Sequence, residues 1–179
     1  RLVGPAAGVR PLGDRLKEAL FATLEPELRG AAFLDLFAGT GAGGIEALSR
    51  GAASATFVEH DPQALAALER NLAAAHLADA GARVVRADAL AWLAGAPGGP
   101  YDVVLVDPPY DEVDLLTAAL TALAGPGRAP SRSAVVRATG VVVAKHATRT
   151  TLAPEIGLLR SARARRFGDS ALTFYRWAA

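Results

Sequence analysis

Leu34-Asp35-Leu36-Phe37-Ala38-Gly39-Thr40-Gly41-Ala42-Gly43-Gly44 decides the fold. The apolar run Ala32–Phe37 reads as a short buried strand. Gly39, Gly41 and Gly44 spell G-x-G-x-x-G, and Gly43–Arg50 reads as a helix closed by Gly51. A strand that turns through glycines into a helix opens a doubly wound α/β sheet. The rest of the chain keeps that rhythm. Strands are predicted at Ser54–Val58, Ala82–Arg86, Tyr101–Val106 and Gly140–Lys145. Helices are predicted from Asp61-Pro62 to Leu77, from Asp88 to Leu93, and over Asp111–Leu123. Asp14–Thr23 reads as an amphipathic helix. Leu158–Phe167 and Ala171–Trp177 alternate like a hairpin that turns at Gly168-Asp169. The segments Gly95–Pro100 and Gly125–Ser133 read as loops, the second as a place for mobility. The expected architecture is a mostly parallel seven-stranded sheet, helices on both faces and an antiparallel C-terminal hairpin. Residues 1–179 form a single domain in this reading, with 1–29 as an N-terminal extension and helix on the substrate side.

Composition narrows the chemistry. There is no Cys, which excludes disulfide scaffolds, Cys-ligated zinc, iron–sulfur clusters and thiol nucleophiles. Three histidines make a multi-histidine metal site an unfavourable reading, and no metal is expected. No apolar stretch is long enough for a membrane-spanning helix. The chain contains no Met and opens at Arg1 without a signal-peptide pattern; a missing true N-terminus and a cytoplasmic address are the expectations. Charge is unevenly spread. Residues 30–127 carry twelve acids and four bases, whereas 128–179 carry ten bases and two acids. Such a split suits one end that meets an anion while the middle does something else. Of the 19 basic residues 17 are Arg, which matches phosphate geometry, although a GC-rich genome gives the same bias. Arg10, Arg15, Arg160, Arg163, Arg165 and Arg166 are the candidate phosphate contacts. Lys145 and His146, ending the fifth strand, either touch phosphate or simply terminate it.

Three motifs carry chemistry. In the first, Gly39, Thr40 and Gly41 let a ligand approach the main chain. Glu59 lies 20 positions after Gly39, where a carboxylate can accept both hydroxyls of a ribose. Nicotinamide dinucleotides use the same fingerprint, but Asp35 inside the first strand would receive a pyrophosphate poorly. Asp35, Glu59, Asp61, Asp88 and Asp107 gather where strands end and suit a cationic ligand. S-adenosylmethionine carries a sulfonium and an ammonium. The plainer reading is a glycine turn that packs helix on strand. In the second motif Asp88, with Ala89, can accept from an adenine amine or merely cap a helix. His60 either packs beside the adenosine or is a surface histidine. The third motif, Asp107-Pro108-Pro109-Tyr110, is the sharpest. Two prolines end the strand and stiffen an extended path. Asp107 and the Pro108 carbonyl can each accept one N–H of an exocyclic base amine, freeing its lone pair to attack a sulfonium methyl. Tyr110 offers a flat surface for the base.

LDLFAGTGAGG, FVEHD and VDPPY, in this order and spacing, resemble the S-adenosylmethionine-dependent amino-methyltransferases of class I, Rossmann-like fold. The stretch Arg10-Pro11-Leu12-Gly13-Asp14-Arg15-Leu16-Lys17-Glu18-Ala19-Leu20-Phe21 is similar to the R-P-T-x-D-R-v-R-E-A-L-F segment of the bacterial 16S rRNA (guanine-N2)-methyltransferases. EALSRGA (Glu46–Ala52) and RRFGDSALTFY (Arg165–Tyr175) match that family too. The resemblance implies that Asp35, Phe37, Gly39, Gly41, Glu59 and Asp88 line the methyl-donor site and that Asp107 to Tyr110 hold the base. It also lays Arg10 to Arg15, Asp14 included, across the site. Leu12 replaces the family's Thr, and the segment before Arg10 is short for the family. The implied substrate is 16S rRNA in the small ribosomal subunit or its assembly intermediate, and the implied enzyme is a monomer acting away from membranes. The competing readings are amino-methylation of DNA adenine, other RNA or protein glutamine, an NAD-dependent oxidoreductase, which leaves the tetrapeptide unexplained, and a non-catalytic binding module.

Overall fold

A computed structural model describes residues 13–95, 98–110, 112–125 and 135–178. Arg10, Asp111 and most of the 125–133 loop therefore lie outside the described residues, as do residues 96–97 of the 95–100 loop. In chain order the elements are α1 (Asp14–Leu28), β1 (Ala32–Leu36), α2 (Ala42–Ser49), β2 (Ser54–Glu59), α3 (Pro62–Ala74), β3 (Ala82–Arg86) and α4 (Ala89–Ala94). They continue with β4 (Tyr101–Val106), α5 (Val113–Ala124), β5 (Val136–Ala147), β6 (Glu155–Ile156), β7 (Leu159–Phe167) and β8 (Ser170–Trp177).

The sheet runs β3-β2-β1-β4-β5-β8-β7-β6, parallel from β3 to β5 and antiparallel beyond. This is the expected mostly parallel class I architecture with an antiparallel C-terminal hairpin. The strand count is corrected to eight among the described residues, because Glu155 and Ile156 pair with Arg160 and Leu159 at the far edge. A strand of two residues has no alternation to read.

Period-2 alternation divides the core. Phe33, Phe57, Val103, Leu105, Val141, Val143, Leu172 and Phe174 face α1, α2 and α3. Leu34, Leu36, Val58, Val104, Val106, Val142 and Tyr175 face α4 and α5. Helix α1 runs five residues past its predicted end and through Pro26. A proline inside a helix costs about 3 kcal/mol. Full burial of Leu24 and Leu28, together with a Glu27–Arg176 ion pair to β8, offsets that.

Strand β5 begins four residues before its predicted start. Its register on β4 shifts between Tyr101↔Val136 and Val103↔Val141. At that irregularity the Gly140 backbone approaches so closely that a Cβ would sit 2.9 Å from the Arg137 carbonyl. The sequence starts the predicted strand at Gly140, whereas in the structure Gly140 lies inside β5 at a bulge.

Candidate active site

Chain direction reverses its crossing at β1. Strands β2 and β3 lie on one side of it, β4 and β5 on the other. Ligands bind such sheets in the crevice beyond the strand ends at this switch point. The two strongest motifs meet there, since the Asp107 N–H lies 3.4 Å from the Leu36 carbonyl.

The glycine turn opens on strain. Phe37, a non-glycine, holds φ 70°, followed by Gly39 at 55° and Gly41 at 83°. The glycines have different tasks. A Cβ on Gly41 would fall 2.2 Å from Leu68 Cδ1, and one on Gly44 would fall 2.3 Å from the Phe57 ring. Gly41 lets the turn pack against α3, and Gly44 lets α2 pack hard on β2. Among the described residues, nothing lies within 4 Å of the corresponding position at Gly39. That leaves one open face of the turn for a ligand.

The carboxylates hold this turn. Asp35 is 2% exposed and sits under the first turn of α2, its Oδ2 accepting from the Gly44 N–H at 2.7 Å. The sequence places Asp35 among the residues that line the methyl-donor site; the structure seats it beneath the first turn of α2, where Gly43 and Gly44 bring the helix down onto it. Burial pushes its carboxyl from 3.8 up to about 7, against the Gly44 N–H, with repulsion from Asp107 and Glu59 adding to the rise.

Glu59 accepts three backbone N–H groups, from Gly39, His60 and Asp61, each at 2.8 Å. An ionised carboxylate offers about four acceptor positions, so room remains for one ribose hydroxyl more readily than two. Asn71, which the sequence reading missed, is 1% exposed and donates from Nδ2 to the Thr40 carbonyl at 3.0 Å. Its signal was a polar residue three positions after Leu68 in an apolar helical stripe.

Asp61 and Asp88 both cap helices. Their carboxylates accept from the Ala64 and Ala91 N–H groups at 2.7 and 2.9 Å. The capping reading of Asp88 is thus realised, and its second oxygen is not used by that bond. Ala89 is buried behind it. His60 is an exposed side chain, 68% accessible, with Nδ1 3.6 Å from Glu59.

Asp107, Pro108, Pro109 and Tyr110 line a small cleft together with Glu112, Val113, Leu116, Lys145, His146, Ala147 and Thr150. Tyr110 donates from its hydroxyl to the Asp169 carbonyl at the β7–β8 turn, 3.1 Å away, and the Arg149 guanidinium lies 5.6 Å from its ring centre. The C-terminal hairpin thus fixes the aromatic of the tetrapeptide. Arg149, in the β5–β6 connection, gave no signal in the sequence.

Lys145, read as touching phosphate or simply ending its strand, binds Asp107 with its ammonium, at 2.7 Å to Oδ1 and 3.0 Å to Oδ2. Parallel pairing of Val106 with Ala144 makes the two residues neighbours. His146 turns its ring to Thr173 Oγ1 and to the Ala147 carbonyl. Burial holds it below its ordinary 6.5, and Arg166 adds to that.

The other basic candidates lie on the surface. Arg15 is exposed on α1, which Asp14 opens. Strand β7 is exposed from Arg160 to Arg166. Arg163 and Arg165 pair with Phe174 and Leu172 and so share a face, while Arg166 pairs with Ala171 and takes the other. Across β8 the register aligns Arg165 with Lys145 and Arg166 with His146, which brings the basic row up to the cleft end of the sheet. Arg160, at the far end, pairs with Glu155 at 3.3 Å.

Over 108 residues, 60% of this chain, it is 46% identical to the ribosomal RNA small subunit methyltransferase D of Escherichia coli (strain K12). The match spans only about half of that protein's length, 53%. YlbH of Bacillus subtilis (strain 168) is 33% identical over 93% of this chain and 87% of its own. The solved structure of yhhF from Escherichia coli superposes with a TM-score of 0.81 at 31% identity, covering 100% of this chain and 98% of that one. The family model described as conserved hypothetical protein 95 matches residues 2–176. Since that match runs from before α1 into β8 and takes in both the glycine turn and the Asp107–Tyr110 tetrapeptide, the chain belongs to this family.

Proposed function

We propose that this chain transfers a methyl group from S-adenosylmethionine to the exocyclic N2 amine of a guanine in 16S rRNA, as a cytoplasmic monomer acting on the small ribosomal subunit or its assembly intermediate. One observation carries the reading. The Asp107–Tyr110 turn stands beside the open glycine turn at the sheet's switch point, so a base amine and a ligand on β1 would meet. The Escherichia coli and Bacillus subtilis relatives support it.

The residues fit the methyl donor. Gly39 leaves an open face, Glu59 and Asp88 close adjacent strand ends, and the region is acidic, which favours a cationic ligand over a pyrophosphate. In this reading Glu59 holds the ribose, Asp88 and Ala89 the adenine, and Phe37, Gly39, Thr40 and Gly41 shape the turn, with His60 at the rim. When bound, the donor supplies an electrophilic methyl. Asp107 and the Pro108 carbonyl accept the amine N–H groups, Pro109 stiffens the turn, and Tyr110 stacks on the base. Segment 1–29, with Arg10, Asp14 and Arg15, borders the substrate side.

Calorimetry with S-adenosylmethionine and with NAD tests the donor site. S-adenosylmethionine is expected to bind without RNA, and NAD to show no saturable binding. Glu59→Ala is expected to weaken the donor by about 1.5–3 kcal/mol, as a charged acceptor is lost. Unchanged affinity removes Glu59 from the site.

RNA titrations at several salt concentrations test the basic edge. Each phosphate contact contributes roughly 0.7–0.9 to the log–log slope. Replacing Arg163 and Arg165 together by Ala is expected to flatten it by about 1.4–1.8, with donor affinity unaltered. An unchanged slope would leave these arginines only the protection of an edge strand.

A further inference from the structure

We propose that Lys145 is a positioning residue for the target-amine acceptor: its ammonium clamps both oxygens of Asp107 and fixes the charge and direction of that carboxylate at the crevice. The inference rests on the proposed amino-methyl transfer, which gives Asp107 its role.

The geometry is specific. Lys145 Nζ lies 2.7 and 3.0 Å from the two oxygens, and the side chains are 9% and 19% exposed. Register supplies the placement, for each residue directly follows the paired Val106 and Ala144. The clamp leaves capacity for substrate. A carboxylate has about four acceptor positions, and Lys145 takes one on each oxygen. A base N–H can therefore be accepted without displacing the lysine, which itself makes and breaks no bond.

The surroundings explain why a cation is needed. Asp107 must be ionised to act as a pure acceptor, and burial disfavours ionisation. Asp35 on β1 repels it, and Glu112, at the start of α5, lines the same cleft with another negative charge. His146 on β5 spends its ring nitrogens on Ala147 and Thr173. Arg149 lies over the Tyr110 ring, whose hydroxyl is bound at Asp169. Among the described residues, Lys145 is the one ion-pair partner of Asp107. Burial raises the Asp107 carboxyl, and Lys145 opposes the rise through its charge and its hydrogen bonds. A buried ion pair is a poor device for stability alone, since apolar pairs of similar volume do as well.

The test compares wild type with Lys145→Met and Lys145→Arg. Single-turnover methyl transfer to 16S rRNA in small subunits is followed from pH 5 to 9. Lys145→Met is expected to move the acidic limb upward by about one unit or more, which is about tenfold in rate on that limb. The rate recovers towards wild type at high pH, and S-adenosylmethionine affinity stays within about twofold. Lys145→Arg keeps the wild-type limb. A limb that does not move in Lys145→Met, whether the rate is preserved or scaled down uniformly, overturns the proposal.

A second readout needs no turnover. In carboxyl carbon NMR, with Asp107→Asn assigning the signal, the Asp107 carboxyl is expected to titrate higher in Lys145→Met than in wild type. An unshifted titration overturns the clamp. Wild-type protein without methyl transfer overturns the functional reading, while the NMR result still decides on Lys145. Lys145→Gln takes the place of Lys145→Met if the latter fails to fold.

Discussion

Asp107→Ala is expected to keep S-adenosylmethionine bound and to lower the single-turnover rate of methyl transfer by about 100- to 1000-fold. The reasoning follows charge. An exocyclic amine is a weak nucleophile because its lone pair is shared with the ring. As it attacks, positive charge grows on its nitrogen, and an acceptor aimed at its N–H groups gains strength in the transition state. Losing one preorganised group aimed at developing charge costs a factor of that size. The loss falls in the chemical step and leaves donor affinity alone. Because Asp107 also neutralises Lys145, the alanine variant leaves a buried ammonium unpaired. Asp107→Asn keeps the shape and is the companion measurement; it should be nearly as slow. A near-normal rate in both variants removes Asp107 from the chemistry.

Asp35→Asn is expected to stabilise the protein at alkaline pH. The Asp35 carboxyl rises from 3.8 to about 7 on folding, chiefly through burial. A raised carboxyl favours the folded state fully below the unfolded value of about 4, and that favour is lost as pH climbs through about 7. Asparagine cannot ionise, and its oxygen can still accept the Gly44 N–H. The unfolding free energy of the variant relative to wild type should therefore grow by about 4 kcal/mol between pH 3 and pH 9, three pKa units at about 1.4 kcal/mol each. Urea titrations across that range measure it. A difference that stays constant with pH means Asp35 titrates normally in the folded protein.

Much of this molecule is legible because local rules and tertiary structure agree. β1, the glycine turn and α2 follow from an apolar run that meets glycines. The Asp61-Pro62 start of α3 follows from capping chemistry, and the structure shows that cap bond. What escaped reading depends on register. Lys145 is visibly the end of a strand, but its partner depends on how β5 aligns with β4, and β5 carries an irregular stretch before Gly140. The true start at Val136 was hidden because Arg137, Ala138 and Thr139 are exposed and mimic a loop. Glu59 announces itself by spacing, yet its three backbone donors arise only once the turn has folded. Arg149 and Asp169 reach Tyr110 from separate connections. Neither has a pattern that points there. The left-handed Phe37 is likewise invisible in a sequence whose glycines stand two residues later.

Nucleoside analysis decides whether this chain methylates guanine N2 in 16S rRNA. Small subunits from a strain lacking the gene are incubated with this protein and S-adenosylmethionine carrying a heavy-isotope methyl. The 16S rRNA is then digested to nucleosides and examined by mass spectrometry. One labelled product, N2-methylguanosine, is expected, formed far more slowly with Asp107→Asn. Label on adenine, on ribosomal protein, or nowhere in the wild-type reaction would contradict it.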